Sequence, residues 1–193
     1  MNRSILCCLL GLLLAVGLWT GTVGAQEMTV ELDPAKTRIE FTMAATLHTV
    51  HGSFLLKNGT IHFNPSTGSA SGLVVVDARS GNSGNKGRDR KMHREIIESE
   101  RYPQITFTPT KLSGKFERQG DSTVELEGKF KLHGSEHSIT LAIPIQMKGN
   151  EVSGRTHFAV PYVEWGLKNP STMFLHVSDT VVIDIAAAGQ ILP

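Results

Sequence analysis

Cysteine is nearly absent from this chain. Both cysteines, Cys7 and Cys8, lie in one apolar run near the N-terminus, and none follows. Beyond that run, disulfide bonds, thiolate metal ligands and cysteine nucleophiles are therefore excluded. A chain of 193 residues is long enough to be stabilised by an apolar core instead.

The N-terminus has the pattern of a secretory leader. Arg3 precedes an apolar run of 15 residues at 5–19, and a pattern of small residues ends at Ala25. A membrane span takes about 20 apolar residues, so we expect a signal peptide at 1–25 that is cleaved after Ala25, with an uncleaved anchor as the alternative. The domain at 26–193 is then expected in the periplasm or outside the cell.

An excess of charge of one sign is also missing. The chain has 19 Lys and Arg against 18 Asp and Glu, and removal of Arg3 with the leader leaves 18 of each. A protein without net charge has no overall attraction for nucleic acid or anionic membranes, although a local patch stays open. We therefore expect no nucleic-acid partner.

Motifs for catalysis are missing as well. The stretch GSASG has Ala70 where a nucleophile elbow needs serine. The loop 77–89 lacks the spacing of a calcium loop, and no glycine-rich loop carries a phosphate-binding lysine. The lack of an active-site pattern favours a binding protein over an enzyme.

Eight histidines remain as candidates for chemistry. His48 and His51 would fall on opposite faces of a strand, whereas His133 and His137 flank a turn and would approach each other. A structural zinc site needs four ligands, and nothing in the sequence designates the third and fourth. A histidine-based metal site or enzyme is the alternative hypothesis, and turn or outward strand positions are the simpler interpretation. We expect no metal and no cofactor.

Alternation of apolar and polar residues dominates the rest of the chain, as is typical of half-buried antiparallel strands. It is clearest at 124–132 and 139–147, and it resumes at 151–160 after a tight turn at 148–151. Pro144, on the polar face of the second segment, indicates a sheet edge or a bulge.

Further strands are predicted at 37–45, 50–57, 60–64, 71–78, 104–112 and 174–187. Asn58-Gly59, between two of them, is a strong hairpin signal. About nine antiparallel strands in a meander of hairpins favour a closed barrel over a sandwich. With eight strands, the interior is either just filled or holds one small ligand.

One charged helical segment interrupts the strands at 88–102. Met92, Ile96 and Ile97 form one apolar stripe on such a helix, and the other face is charged. The proline that follows disfavours helical geometry at Tyr102, where we expect the helix to stop. The stripe is expected to close one end of the barrel, either as a plain connector or as a lid whose motion admits a ligand.

The inward-facing positions are mostly apolar: Phe41, Met43, Phe54, Ile61, Phe63, Phe107, Phe130, Leu132, Leu141 and Phe158. Each is explained by core packing alone, so a structural barrel with a filled core is a second alternative.

Five segments carry a family resemblance: LDPAKTRIEF at 32–41, VHGSF at 50–54, MHREIIESERYPQITF at 92–107, LEGKFKLHGSEHSITL at 126–141 and VPYVEWGLKNPS at 160–171. In this order they resemble the YceI-like family of secreted, lipocalin-like polyisoprenoid-binding proteins. The resemblance implies a mainly β fold, an eight-stranded antiparallel barrel with one short inserted helix. It also implies a long apolar tunnel.

The same resemblance implies a lipid carrier or buffer rather than an enzyme. The ligands that it implies are polyprenyl lipids, prenyl quinones and fatty acids or amides. Many members carry Phe-Phe where this chain has Ile96-Ile97, and leucine in place of Met92. The segment after Asp89 is also one residue shorter than in those members.

The predicted ligand-binding residues are Phe41, Met43, Phe54, Met92, Ile96, Ile97, Tyr102, Phe107, Phe130, Leu132, Leu141, Phe158 and Trp165. Contacts with a polar head group are predicted for His93, Arg94, Tyr102 and Trp165. The expected partner is a long-chain isoprenoid or fatty lipid, and transient membrane contact and a homodimer are left open.

Overall fold

The computed structural model describes residues 27–46 and 48–192. Its elements are β1 (Met28–Leu32), β2 (Arg38–Ala44), β3 (Thr49–Phe63), β4 (Ala70–Asn82), α1 (Lys86–Lys91), a π-helical turn (Met92–Ile96), β5 (Gln104–Gly114), β6 (Gly120–Leu132), β7 (Ser135–Lys148), β8 (Glu151–Val160) and β9 (Val181–Leu192). The predicted leader, with both cysteines, lies outside these residues. Within them, no helix has the length and apolar character needed to cross a bilayer.

The nine strands close into a barrel of eight antiparallel positions. β1 and β2 share one position, because both lie between β3 and β9. β1 pairs with the far half of β3, where Val30 lies opposite Ile61, and β2 with the near half, where Phe41 lies opposite Gly52. β3 also pairs with β4, and the strands from β4 to β9 follow in chain order. The predicted eight-stranded barrel with one short helix is therefore confirmed.

Alternation along the strands directs apolar side chains inward. In β6, Val124 and Leu126 are buried while Glu125 and Lys129 are exposed, as expected for a pleated strand with one solvated face. Buried residues gather in two clusters, one around Phe107, Leu126 and Leu141 and one beneath the helical end, formed by Ile97, Leu132, Val160, Tyr162 and Leu167.

The hairpin predicted at Asn58-Gly59 is wrong. β3 runs through both residues as one strand of 15 residues, and neither has the positive φ that a type I′ turn requires. The pairing of β3 with β4 instead shifts between Leu56 and Asn58, which is a β-bulge. A Cβ at Gly59 would lie 2.8 Å from Leu32 Cδ1, so close packing against β1 explains the glycine.

The strand predicted at 174–187 is wrong in its first part, because β9 begins only at Val181. The residues before it belong to a loop, 161–180, that crosses the end of the barrel. Its backbone bonds to the end of β2 and the following turn: the Ser178 N–H donates to Ala44 O at 2.9 Å, and the Thr46 N–H donates to His176 O at 2.9 Å.

The helical segment is shorter than predicted, and it ends for a different reason. Asn85 caps its first turn, and the Ile97 N–H closes it by donating to Met92 O at 2.9 Å, an i to i+5 bond. Glu98 then has a φ of 45°, which leaves helical geometry. The helix therefore stops well before Pro103.

The wall of the barrel is incomplete between β7 and β8. The two strands pair over four residues and no further than Ile145 opposite Gly154. Pairing ends at Pro144, which has no N–H to donate, so the edge predicted from this proline is present. Beyond it, residues 135–144 and 155–160 border an unpaired stretch that we call the seam.

Candidate functional site

The barrel encloses an apolar tunnel in two parts. A larger part, of about 500 Å³, lies below the helical segment, and a smaller part, of about 190 Å³, lies deeper. The larger volume falls within the range of about 300–1,000 Å³ that is typical of ligand sites. The two parts adjoin each other, since six residues line both: Ile39, Val76, Ile105, Phe130, Phe158 and Ile185. The barrel is hollow here, so the filled-core alternative is not supported.

Eleven of the 13 predicted ligand-binding residues line this tunnel. The larger part is lined by Phe41, Met43, Phe54, Met92, Ile96, Ile97 and Leu132. The smaller part is lined by Phe107 and Leu141, and Phe130 and Phe158 line both. Tyr102 and Trp165 line neither part. The role of these residues in binding stays a prediction.

Several elements contribute lining residues that were not among the predicted ligand-binding residues, and β4 and β9 are two of them. Val74 and Val76 face the tunnel from β4, and Ile183 and Ile185 face it from β9. For β9, the sequence pattern that predicts these inward positions is the alternation of apolar residues in VVIDIAAA. The rim residues of the loop 161–180 had no such pattern.

The helical segment closes one end of the tunnel, and His93 holds it to the barrel. His93 Nε2 lies 2.8 Å from Gly81 O, and Nδ1 lies 3.0 Å from Ser99 Oγ. Because a carbonyl oxygen only accepts, Nε2 donates to it and the Ser99 hydroxyl donates to Nδ1. Both ring nitrogens are thus used within the protein, and the predicted head-group role of His93 is not supported. Arg94 is exposed and does not line the tunnel.

Tyr102 attaches the chain after the helical segment to the turn between β6 and β7. Its ring lies 4.5 Å from the ring of His133, centroid to centroid. This contact accounts for the aromatic ring of Tyr102 without placing it in the tunnel.

Trp165 covers one end of the seam. Its ring stacks on that of His137, with centroids 3.9 Å apart and an angle of 6° between the planes. Phe130 lies beside it at 5.9 Å. His137 therefore faces inward, and its interpretation as an outward strand residue is wrong. Its Nε2 atom is buried and has no hydrogen-bond partner among the described residues.

Thr156 places a hydroxyl in the smaller part of the tunnel. Its Oγ1 atom is buried without a hydrogen-bond partner among the described residues. A buried polar group left unpaired costs roughly 1–3 kcal/mol, and most such groups are paired in native proteins. The sequence signal was a polar residue on the apolar face of EVSGRTHFAV, between Gly154 and Phe158.

Basic residues lie at the rim of the larger part. Arg88 donates from Nε to Ser83 Oγ and from Nη2 to Ser83 O, both at 2.7 Å. Lys91 Nζ donates to Pro170 O at 3.1 Å and so ties α1 to the loop 161–180. Both side chains line the larger part at its end below the helical segment, which we call the mouth. The sequence had predicted that all charges of the helix face water.

Tyr162 lies at the base of the same loop. Its hydroxyl donates to Ser178 O at 2.8 Å. Burial, with a smaller contribution from the negative charge of Asp179, raises the pKa of Tyr162 to about 12. The side chain therefore stays neutral and fixes the loop over the end of the barrel.

The candidate histidine pairs have separate surroundings. His133 faces Glu98, with Nε2 3.3 Å from Oε1, while His137 stacks on Trp165. His51 Nδ1 lies 3.1 Å from Thr42 Oγ1. Across residues 27–46 and 48–192, no group of three or more His, Cys, Asp and Glu side chains is placed to hold a metal ion.

A closed antiparallel barrel with an apolar tunnel under a short helix defines the class of this protein. The sequence profile of the YceI-like domain matches residues 31–188. The chain belongs to the YceI-like domain family. No curated protein sequence matches it at a significant level.

Solved structures share the fold at low sequence identity. BcnA of Burkholderia cenocepacia has a TM-score of 0.66 and 16% identity, over 81% of this chain and 98% of BcnA. A polyisoprenoid binding domain from Saccharophagus degradans, implicated in plant cell wall breakdown, has a TM-score of 0.64 and 17% identity, over 83% and 97%. The YceI protein of Campylobacter jejuni has a TM-score of 0.54 and 18% identity, over 68% and 80%.

Proposed function

We propose that this protein holds the hydrocarbon chain of an isoprenoid or fatty lipid inside the barrel, as a carrier or buffer and not as an enzyme. The observation that carries the proposal is the pair of adjoining cavities that make up the tunnel, whose lining is almost entirely apolar. The Saccharophagus degradans structure with the same fold is described as a polyisoprenoid binding domain, which supports this ligand class.

The tunnel favours long chains over short ones. Each buried CH2 group contributes about 0.8 kcal/mol, so fifteen contribute on the order of 12 kcal/mol. Association costs roughly 4–15 kcal/mol. A chain that reaches through both parts of the tunnel therefore offsets more of this cost than a chain that fills only one part.

The proposed location is the periplasm or the extracellular space. The basic, apolar and small-residue pattern at 1–25 supports it. The lack of cysteine in the barrel domain is compatible with an oxidising compartment, since no thiol is exposed to oxidation there.

The test is to purify the protein from its own host without detergent, extract it with organic solvent, and identify bound lipids by mass spectrometry. Uptake of prenyl alcohols and fatty acids of graded length by the stripped protein provides the second measurement. We expect one bound chain per protein and an affinity that rises with chain length. A protein that is consistently empty and takes up none of these chains would refute the proposal.

A further inference from the structure

Two large apolar side chains are exposed together within the loop 161–180. Met173 is 84% exposed and Phe174 is 85% exposed, whereas Leu55, the next most exposed large apolar residue in the described chain, is 65% exposed. Isolated apolar residues on a surface are ordinary, but two adjacent ones with almost no cover expose far more apolar area. We call Met173 and Phe174 the tip.

The tip is held in place by hydrogen bonds on both sides. The Thr172 N–H donates to Leu175 O at 2.9 Å and closes a turn around the tip. The Val177 N–H donates to Ser171 Oγ at 2.9 Å, and the Thr46 N–H donates to His176 O at 2.9 Å. The backbone therefore presents both side chains outward, since the turn is fixed to the barrel.

The tip stands at the mouth of the tunnel. Thr172 and Leu175, which flank it in sequence, line the larger part, and so does Pro170. The apolar surface of the tip and the apolar lining of the tunnel thus adjoin at one end of the barrel. A surface that covers the tip would also cover the mouth.

Positive charge lies on the same rim. Helix α1, KGRDRK, has four basic residues and one acidic residue, and Lys91 contacts the loop of the tip through Pro170 O. The Asp89 carboxylate accepts hydrogen bonds from the Ser83 N–H and hydroxyl. Lys86 and Arg90 are exposed. Although the chain as a whole is almost neutral, α1 itself is basic.

We propose that the tip and α1 together form a docking face for the surface of an anionic lipid bilayer. Aromatic and other apolar side chains beside basic residues are the combination by which peripheral proteins enter the interface of charged membranes. Docking in this orientation sets the tunnel mouth against the hydrocarbon region, so a chain passes between bilayer and tunnel without crossing bulk water.

The test is co-sedimentation of the stripped protein with vesicles of phosphatidylcholine alone or of phosphatidylcholine with phosphatidylglycerol. We expect the wild type to sediment more with the anionic vesicles, and less as salt is raised. The double substitution Met173→Asp and Phe174→Asp is expected to lower the partition coefficient by about tenfold or more, because two apolar contacts with lipid are lost. Lys86→Glu with Arg90→Glu is expected to remove the preference for anionic vesicles.

Leu73→Asp is the matched control, since Leu73 is 44% exposed and pairs with Thr60 in the wall of the barrel, away from the helical end. It is expected to leave sedimentation unchanged. The proposal is overturned if the wild type binds neither vesicle, if the tip variant binds like the wild type, or if Leu73→Asp weakens binding as much as the tip variant.

Two further measurements distinguish bilayer docking from dimerisation of the chain and from lipid uptake by the tunnel. Size-exclusion chromatography tests whether the tip instead joins two copies of the chain, and a dimer abolished by the tip substitutions would overturn bilayer docking. Uptake of a fluorescent fatty acid in vesicle-free buffer tests the tunnel alone. Vesicle binding without uptake would refute the proposed function and leave the docking face intact. Uptake without vesicle binding would refute the docking face and leave the proposed function intact.

Discussion

Glu98 and His133 face each other with left-handed backbones on both sides of the contact. Glu98 Oε1 lies 3.3 Å from His133 Nε2, and the two residues have φ values of 45° and 51°, the positive values found among non-glycine residues of the described chain. The two side chains meet where the end of the helical segment lies against the turn between β6 and β7. The positive φ of His133 fits the two-residue hairpin turn that it forms with Gly134, whereas that of Glu98 is unusual for a residue with a long side chain.

The strain at Glu98 is testable with a matched pair of substitutions. Glu98→Gly and Glu98→Ala both remove the contact with His133, but only glycine adopts a positive φ without cost. We expect the Gly variant to be more stable than the Ala variant by about 1–2 kcal/mol. Urea unfolding of the two proteins measures this difference, and equal stabilities would show that Glu98 is not strained.

At Met92, the effect of a substitution on closing the tunnel is expected to differ from its effect on the stability of the fold. It lines the larger part and is only half-buried, whereas Ile97 is 8% exposed among Leu132, Val160 and other core residues. Met92→Asp is expected to speed release of a bound fatty chain by about tenfold, with a loss of unfolding free energy below about 1 kcal/mol.

Stopped-flow release of a fluorescent fatty acid and urea unfolding measure the two effects of Met92→Asp. Arg94→Asp, at an exposed position of the same helical segment that does not line the tunnel, is the control and should leave the release rate unchanged. Equal effects on release and folding would mean that the helical segment is only a packed connector.

Val76 lies where the two parts of the tunnel meet, since it lines both. Val76→Phe is expected to block the passage and to confine chains to the larger part. The longest chains should then lose their advantage in affinity, while shorter ones bind as before. Val182→Phe, at a 37% exposed position of β9, is the control. Titration of both variants with fatty acids of graded length measures this effect. If affinity depends on length as in the wild type, the fatty chain does not pass Val76.

Thr156→Val replaces an unpaired hydroxyl by a methyl group of similar shape. In the empty protein we expect a gain of about 1 kcal/mol in unfolding free energy, because an unsatisfied buried polar group is removed. Ligands whose polar end reaches Thr156 should bind more weakly to the variant, while an unsubstituted hydrocarbon should not. A loss of stability in the empty protein would mean that the hydroxyl is already paired.

Tyr162 gives a pH dependence whose sign follows from its raised pKa. An unfolded tyrosine ionises near pH 10, whereas the pKa of folded Tyr162 is about 12. The neutral form is favoured in the fold, so its stabilising contribution is complete below pH 10 and is lost as the pH rises through 12. Urea unfolding from pH 9 to 12 should show this decline in the wild type and a smaller one in Tyr162→Phe.

The architecture was predictable because alternation records which face of each strand is buried. Val124, Leu126, Leu141 and Met147 are buried as their period of two requires. The hairpin predicted at Asn58-Gly59 was wrong, because the dipeptide that favours a turn also suits a bulge where two strands pack closely. The predicted strand was wrong at 174–180, where apolar residues that resemble a strand belong to an exposed loop.

The site was predictable to the extent that its residues are apolar and face inward. Phe41, Phe130 and Phe158 were placed correctly by alternation. Alternation placed Thr156 on the inward face as well, but not His137, and for both the lack of a hydrogen-bond partner was not predictable because it depends on tertiary packing. The same limit applies to Lys91, whose position at the mouth depends on a contact with Pro170, 79 residues away in sequence.

The short pairing of β7 with β8 has a consequence for the width of the barrel. Four residue pairs tie these strands together, and beyond Pro144 the perimeter is held by the rings of Trp165, His137 and Phe130. Aromatic rings tilt at far lower cost than a ladder of backbone hydrogen bonds breaks. The circumference of this barrel is therefore least constrained at the seam, where β7 and β8 each remain paired with the neighbouring strand on the other side.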